Sequence, residues 1–243
     1  MLRSLREGVQ SLVHPQAPAA SAALAEVTPF AELPGATLAR LADITSIRRY
    51  RKDMYIFGEG EPAEMLCFVH RGVVKVFKTT SDGQEQTLHL LQQNELFAVT
   101  GFVVGGIYPG TAQTLEDSWV GCIRNQALRG LAQSDVSLAW SLLAFFARRL
   151  TGTSQQVLDL GTRDTAGRLA AALLQLAGVR DRSMGKHVRV GLQVTHRELA
   201  QLIGASRETV TRLLGEFRQE GSIFVDADGH LEITPELLQR RLD

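Results

Sequence analysis

The sequence predicts an α+β fold in which an N-terminal antiparallel β-roll of the jelly-roll kind is followed by one long helix and a C-terminal winged helix–turn–helix. Three observations predict it. Short β-rich runs alternate with glycine turns between residues 55 and 123, a proline-free heptad row covers residues 134–160, and two amphipathic helices follow each other between residues 195 and 221.

The composition is that of a globular protein without a global charge. The 243 residues carry 26 basic and 26 acidic side chains, and 44% of them are hydrophobic. No apolar run approaches the roughly 20 residues that span a bilayer, and residues 1–27 lack the apolar core of a signal peptide. Two cysteines cannot build a disulfide framework. We therefore expect a cytoplasmic protein with no membrane partner, although a local basic face remains compatible with nucleic acid.

The first regular segment lies between residues 28 and 47 and is predicted to contain a helix that begins at Thr37 or at its neighbour Gly35. Apolar residues recur there at helical spacing: Phe30, Leu33, Leu38, Leu41 and Ile44. The β-rich region follows. Runs at residues 66–69, 73–77 and 87–91 predict strands, and Asp82-Gly83 predicts a hairpin between two of them. Several short strands at this spacing indicate a small antiparallel barrel or jelly roll.

The long helix carries a row of side chains at alternating spacings of three and four. The row has eight positions: Val136, Ala139, Leu143, Phe146, Leu150, Thr153, Val157 and Leu160. All of them except Ala139 and Thr153 are large and apolar. A narrow seam of this kind is typical of a helix that pairs with a copy of itself, so we predict a homodimer whose interface includes Leu143, Phe146, Leu150, Val157 and Leu160. The alternative is a helix that packs only on its own barrel.

The segment 195–221 has the pattern of a helix–turn–helix. Thr195 and Glu198 form a capping-box pair at the start of one helix, Gly204 ends it, and Ser206 caps the next. A hairpin formed by residues 223–225 and 231–233 follows as a wing. The layout is that of a DNA reader whose second helix enters the major groove.

Polar residues at the start of the second helix are the candidates for DNA contact. Arg207, Glu208 and Arg212 are predicted to read bases, because Arg pairs with guanine and a carboxylate accepts from cytosine. Hydroxyl side chains near the two helix starts are predicted to contact phosphate: Thr195, Ser206, Thr209 and Thr211. The alternative is an ordinary surface ion pair, since Glu208 and Arg212 are four residues apart.

From about residue 28 to the C-terminus, the chain resembles the CRP/FNR family of bacterial transcription regulators. The most specific motif is IGASRETVTR at residues 203–212. The segments 147–150, 153–154 and 164–169 resemble the family's dimer helix and hinge, and Gly58, Gly72 and Gly83 lie where its cyclic-nucleotide-binding roll turns. The resemblance divides the chain into a tail (1–27), a sensor β-roll (28–133), a dimerisation helix (134–162) and a winged helix–turn–helix DNA-binding domain (163–243).

The resemblance also implies partners. Such regulators are homodimers that bind a palindrome in double-stranded DNA, here one with TGTGA-like half-sites, and contact RNA polymerase as activators do. His196 lies at a position where the family more often has another basic or polar residue that contacts a DNA phosphate. A phosphate contact through His196 would depend on pH.

The signal that the roll receives is less clearly specified. Thr153 and Ser154 match helix positions that contact adenine in the cyclic-AMP members, and Thr111 lies in the corresponding cassette, so these three residues are the candidate effector pocket. Gly110, however, stands where those members have a phosphate-binding arginine, and an apolar residue replaces their ribose-binding glutamate. We expect no cofactor, an unknown effector and a protein that is active without ligand; the alternative is gating by a cyclic nucleotide or by haem and its gas ligands.

The sequence does not favour a metal-binding, redox or enzymatic function. Two separated cysteines cannot hold an iron–sulfur cluster, and no metal site is predicted. Haem ligation would need one of His70, His89, Cys67 or Cys122, and neither cysteine has the adjacent base or cation of a redox sensor. No catalytic motif is present, so we predict that the chain is not an enzyme. The remaining rival is a nucleotide-binding module that regulates a protein partner.

Overall fold

The computed structural model describes residues 18–103, 106–179, 187–191, 193–227 and 230–242, without the side chains of residues 103 and 154–162. The helices are α1 (Ala20–Leu24), α2 (Gly35–Asp43), α3 (Thr100–Val103), α4 (Asn125–Ser134), α5 (Val136–Thr162), α6 (Thr165–Leu176), α7 (His196–Ile203), α8 (Arg207–Gln219) and α9 (Pro235–Gln239). The strands are β1 (Thr45–Tyr50), β2 (Tyr55–Phe57), β3 (Met65–Arg71), β4 (Val74–Thr79), β5 (Glu85–Leu91), β6 (Leu96–Phe97), β7 (Thr111–Thr114), β8 (Ser118–Arg124), β9 (Val188–Arg189), β10 (Ile223–Val225) and β11 (Leu231–Ile233). The predicted α+β architecture is confirmed.

The β-roll consists of two four-stranded antiparallel sheets, ordered β1-β8-β3-β6 and β2-β7-β4-β5. The sequence of strand β3 is almost continuously apolar because both of its faces are buried. Cys67 and Val69 lie in the core between the sheets, whereas Leu66 and Phe68 pack against helices on the outer face. Because side chains alternate along a strand, burial on both faces requires an unbroken apolar run. The predicted hairpin at Asp82-Gly83 is also confirmed, and Gly83 takes a left-handed φ of 81° there.

The helix predicted within residues 28–47 begins at Gly35, one of its two predicted starts, but the prediction that it continues to residue 47 is wrong. Helix α2 stops at Asp43, and Thr45 begins a strand that pairs with β8, opposite Ile123. Leu41 is still buried at helical spacing. Beyond it, the edge of β8 offers a full ladder of backbone hydrogen bonds, and this tertiary pairing overrides the helical periodicity that Ile44 continues.

Helix α5 is a single element of 27 residues, as predicted. Its N-terminus is held by Asp135, whose carboxylate accepts from the backbone N–H of Leu138 at 3.2 Å and from the Thr37 hydroxyl at 2.7 Å. Leu138 and Leu142 bury one face of the helix against the roll and α2. The helix is therefore anchored on its own roll along one side only.

The C-terminal domain places α6, α7 and α8 around one core, with β9, β10 and β11 forming a three-stranded sheet in the order β10-β11-β9. The predicted wing hairpin is confirmed by the pairing of Ile223 with Ile233. Its predicted turn lies partly outside the described residues, as does most of the polar stretch before β9. Among the described residues, no helix combines the length and apolar character needed to cross a membrane.

The roll and the C-terminal domain share a buried contact that the sequence did not predict. Val73 and Leu90 of the roll belong to the same apolar cluster as the core of α6, α7 and α8. The side chain of Gln86 donates to the backbone carbonyl of Gln201 in α7 at 2.5 Å, and that of Gln92 donates to the carbonyl of Leu176 in α6 at 2.8 Å. Strand β5, Gln92 after it and Val73 thus connect the roll to the C-terminal domain.

Candidate DNA-binding surface and interior of the roll

Helix α7 begins with the capping box that the sequence predicts. The Thr195 hydroxyl accepts from the backbone N–H of Glu198 at 3.2 Å, and the Glu198 carboxylate accepts from the Thr195 N–H at 2.7 Å. The same carboxylate accepts the Thr195 hydroxyl proton at 2.8 Å. Both donors of Thr195 are therefore engaged within the cap, so a phosphate contact through this residue requires one of them to change partner.

The turn between α7 and α8 is fixed from three sides. Gly204 adopts the left-handed conformation, with φ 65° and ψ 47°, which a residue without Cβ reaches at no steric cost. The guanidinium of Arg168 in α6 donates to the carbonyl of Ile203 at 3.1 Å. The Ser206 hydroxyl accepts from the N–H of Thr209 at 3.1 Å and caps α8. The start of α8 is thus rigidly positioned relative to α6 and α7.

Helix α8 separates an apolar face from a polar one. Val210, Leu213, Leu214 and Phe217 are buried in the domain core. Arg207, Glu208 and Arg212 are all exposed on the other side, as a base-reading surface requires. Arg212 forms its ion pair with Glu216, not with Glu208. Within the described residues, Arg207 and Glu208 take part in no ion pair.

Two of the predicted phosphate ligands contact each other. Nδ1 of His196 and the Thr211 hydroxyl oxygen are 2.9 Å apart, and that hydroxyl donates to the carbonyl of Arg207 at 2.9 Å. Because the hydroxyl has one proton, Nδ1 must be the donor to Thr211, which leaves Nε2 of a neutral His196 as an acceptor. A phosphate contact through Nε2 therefore needs the protonated ring.

The face of α5 that points away from the roll is apolar and uncovered. Val136, Trp140, Leu143 and Leu150 are 84%, 71%, 58% and 70% exposed, and their spacing continues the heptad pattern. Trp140 was absent from the predicted row. Phe146, which was in it, is partly buried with its ring 6.1 Å from that of Phe102. The side chains of Val157 and Leu160 lie outside the described residues.

The candidate effector residues are already hydrogen bonded. The Thr111 hydroxyl accepts from the backbone N–H of Glu59 at 3.0 Å, and the Thr153 hydroxyl donates to the carbonyl of Arg149 at 3.0 Å within its own helix. The side chain of Ser154 lies outside the described residues. A Cβ at Gly110 would lie 2.8 Å from the carbonyl oxygen of Phe77, so this backbone has no room for an arginine there.

Aromatic side chains pack in the core between the two sheets. The rings of Phe57 and Tyr108 are stacked with centroids 3.8 Å apart, and the Tyr108 hydroxyl accepts from the backbone N–H of Met65 at 3.1 Å. Burial raises the pKa of this phenol, which stays neutral. The described residues include no cluster of three or more His, Cys, Asp or Glu side chains that could hold a metal ion.

Two features of the roll were missed by the sequence analysis. His89 on β5 and Arg149 on α5 are close enough to interact electrostatically, and burial together with the positive charge of Arg149 lowers the pKa of His89 to about 4. Cys67 and Cys122 lie side by side, with their sulfur atoms 2.8 Å apart. No sequence signal predicts either pair, because the partners are 60 and 55 residues apart and meet only through the sheet and helix packing.

Comparisons with known proteins agree with this geometry. Residues 47–135 match the family model of the cyclic nucleotide-binding domain, and residues 167–241 match that of the Crp-like helix-turn-helix domain. A CRP-like cAMP-activated global transcriptional regulator of Mycobacterium tuberculosis is 33% identical over 76% of this chain and 83% of its own length. The anaerobic regulatory protein of Bacillus subtilis is 28% identical over 79% of this chain and 81% of its own length.

Among solved structures, FixK2 from Bradyrhizobium japonicum is similar with a TM-score of 0.71 and 26% identity, covering 82% of this chain and 97% of FixK2. Fold and surface thus define a transcription regulator that combines a cyclic-nucleotide-binding type of roll with a helix–turn–helix DNA-binding domain. The chain belongs to the CRP/FNR family.

Proposed function

We propose that this protein is a cytoplasmic, homodimeric regulator that reads a TGTGA-like palindrome, contacts RNA polymerase as an activator, and binds DNA without a cyclic nucleotide. The observation that carries the proposal is the exposed start of α8. Arg207 and Glu208 lie there outside any described ion pair, on a helix whose other face is locked into the domain core. The contact with RNA polymerase rests on family membership alone.

The reading of bases follows from the chemistry of these side chains. Arg207 can donate two hydrogen bonds to O6 and N7 of guanine, and Glu208 can accept from the amino group of cytosine. Ser206, Thr209 and the first N–H groups of α8 are suited to a phosphate oxygen at the helix N-terminus. Arg212 contributes to base reading only if it exchanges Glu216 for a base, so we assign the larger share of the specificity to Arg207.

Dimerisation supplies the second reading helix. The exposed row on α5 is too apolar and too regular for a solvated surface, and its heptad spacing fits the same row on a second copy of the chain. Phe146 contributes the part of its ring that its own roll leaves accessible. Two copies paired in this way present two copies of α8 to a palindrome.

The proposal that no cyclic nucleotide is needed rests on the roll. A buried phosphate requires a charge-assisted partner, and Gly110 leaves no space for one in this backbone.

A second candidate, a regulator gated by an anionic effector, is favoured by Arg149. Its guanidinium is largely buried, burial lowers its pKa, and its contact with the carbonyl of Leu96 is long, at 3.5 Å.

The test is an anisotropy titration of the purified full chain, without additives, against a TGTGA-N6-TCACA duplex and a scrambled duplex at fixed salt. We expect selective binding that added cyclic AMP leaves unchanged. Equal, weak binding to both duplexes would contradict the proposal. Selective binding only after addition of cyclic AMP would instead support the effector-gated candidate.

A matched pair of variants separates base reading from general charge. Arg207→Ala should cost about 1–3 kcal/mol per half-site and reduce discrimination between the two duplexes. Arg218→Ala removes the same charge from the last turn of the same helix and should leave discrimination intact. Equal losses in both variants would show that Arg207 acts only through its charge.

A further inference from the structure

The two cysteines of the chain form an isolated pair inside the roll. Cys67 on β3 and Cys122 on β8 are directly opposite each other in the antiparallel register. Their sulfur atoms are 2.8 Å apart, and the two residues are 1% and 5% exposed. Both side chains belong to the core between the sheets. The chain has no other cysteine, so each thiol has one partner within reach.

The backbone geometry at this position suits a disulfide. Opposed residues on antiparallel strands have Cα atoms about 4.5 or 5.5 Å apart, and both values lie within the range of about 4.4–6.8 Å found in disulfides. The sulfur atoms would approach by less than about 1 Å to reach the bond length of about 2.05 Å. A metal ion between two thiolates needs about 2.3 Å on each side, so a separation of 2.8 Å leaves no space for one.

We infer that Cys67 and Cys122 are a reversible dithiol–disulfide couple, oxidised by a small neutral peroxide and reduced by a cellular dithiol. The site lies in the sensor roll and makes the roll responsive to an oxidant independently of any ligand that it binds. A disulfide of this kind fits a reducing compartment, where such bonds are transient and serve as sensors.

The reaction balances with hydrogen peroxide as the oxidant. The sulfur of Cys122 attacks one peroxide oxygen, the O–O bond breaks, and a sulfenic acid and one water are formed. The sulfur of Cys67 then attacks the sulfenic sulfur, the S–O bond breaks, and the second water leaves as the S–S bond forms. Two thiols and one peroxide thus give one disulfide and two waters. A dithiol reverses the change by exchange through a mixed disulfide.

The order of attack follows from the surroundings of each thiol. Burial raises the pKa of Cys67, and the neighbouring Cys122 raises it further. Cys122 is the more exposed of the two and is therefore the first to react. Because both thiols are nearly buried, oxidation depends on local opening of the roll and is slow compared with that of an exposed reactive thiol.

The test treats the full chain with hydrogen peroxide and follows it by mass spectrometry and by thiol counting after denaturation. We expect a loss of about 2 Da, no remaining free thiol, a peptide in which Cys67 is joined to Cys122, and complete reversal by dithiothreitol. The melting temperature should rise by several degrees on oxidation, because the bond closes a long loop in the unfolded chain.

Single-cysteine variants test which of the two thiols reacts first with peroxide. In C67A, Cys122 should be trapped as a sulfenic acid by a dimedone reagent, whereas in C122A, Cys67 should react less. C67S and C122S repeat the measurement where an alanine variant is unstable. The inference is overturned if both thiols survive treatment that oxidises the exposed Met54, if the disulfide links two chains, or if the pair binds one equivalent of copper or zinc and stays reduced. None of these readouts depends on DNA binding.

Discussion

The pKa of His89 links the protonation of one side chain to the stability of the β-roll. Its ring lies opposite Val76 and near Arg149, and burial and that positive charge lower its pKa to about 4. The histidine of an unfolded chain has a pKa of about 6.5, so between these values only the unfolded state binds the proton. Stability is therefore full above about pH 6.5 and falls as the pH is lowered towards 4.

We expect His89→Gln to remove this dependence. Between pH 7 and pH 4, the free energy of unfolding of the native protein should fall by about 3 kcal/mol more than that of the variant. Chemical denaturation at each pH measures the difference. Val76→Ala, which changes the residue opposite His89, should lower stability by a similar amount at every pH. Parallel pH curves for the native protein and His89→Gln would contradict the prediction.

Local sequence signals predicted the parts of the DNA-binding surface that depend on neighbouring residues. The capping box at Thr195, the left-handed Gly204 and the Ser206 cap are all present, because each is decided within a few residues. The partners of exposed side chains were not predictable. The pairing of His196 with Thr211 and of Arg212 with Glu216 depends on how two helices cross and on rotamers that the sequence does not specify.

At the scale of elements, a periodic pattern predicts that a helix forms more reliably than it predicts which side chains of that helix are buried. The heptad row predicted α5 correctly, but the roll takes Phe146 partly into its own contacts and leaves Trp140 uncovered. The same competition ended α2 at Asp43, where pairing with β8 replaced a helical continuation. In both cases a tertiary neighbour, absent from the local sequence, decided the outcome.

Leu150→Asp tests the dimer row of α5. Leu150 is 70% exposed in the single chain, so the variant should fold normally as a monomer. In a symmetric seam it would place two carboxylates in an apolar contact, which costs several kcal/mol of association energy. Sedimentation should show a monomer at concentrations where the native protein is a dimer, and palindrome affinity should fall to that of one half-site.

Arg148→Asp is the matched control, since it introduces the same carboxylate on an exposed position of α5 that points away from the row. We expect it to keep the dimer. If Leu150→Asp stayed dimeric and bound the palindrome with native affinity, α5 would be a helix that serves only its own roll.

At the scale of the whole molecule, β5 connects the roll to the DNA-binding domain. Leu91 packs in the core between the sheets, whereas its neighbour Leu90 packs with the core of the DNA-binding domain. Gln86 on the same strand holds the backbone of α7. A change between the sheets therefore reaches α7 across the thickness of one strand. We therefore expect a change in the roll, with or without a bound nucleotide, to alter the position of α8.

The contact between β5 and α7 also sets the distance between the two copies of α8 in the proposed dimer. The dependence of affinity on the spacing of the half-sites therefore tests this contact. Recognition helices that are related by a two-fold axis fit half-sites about one helical turn, or about 34 Å, apart. A duplex with five base pairs added to the spacer of TGTGA-N6-TCACA turns the second half-site by about half a turn to the opposite side of the DNA. We expect its affinity to fall to that of a duplex with a single half-site at the same salt concentration, because the contact between β5 and α7 prevents the DNA-binding domains from rotating independently. Equal affinity for both spacers would mean that the two reading domains move freely on their hinges, and the coupling through β5 would then be absent when DNA is bound.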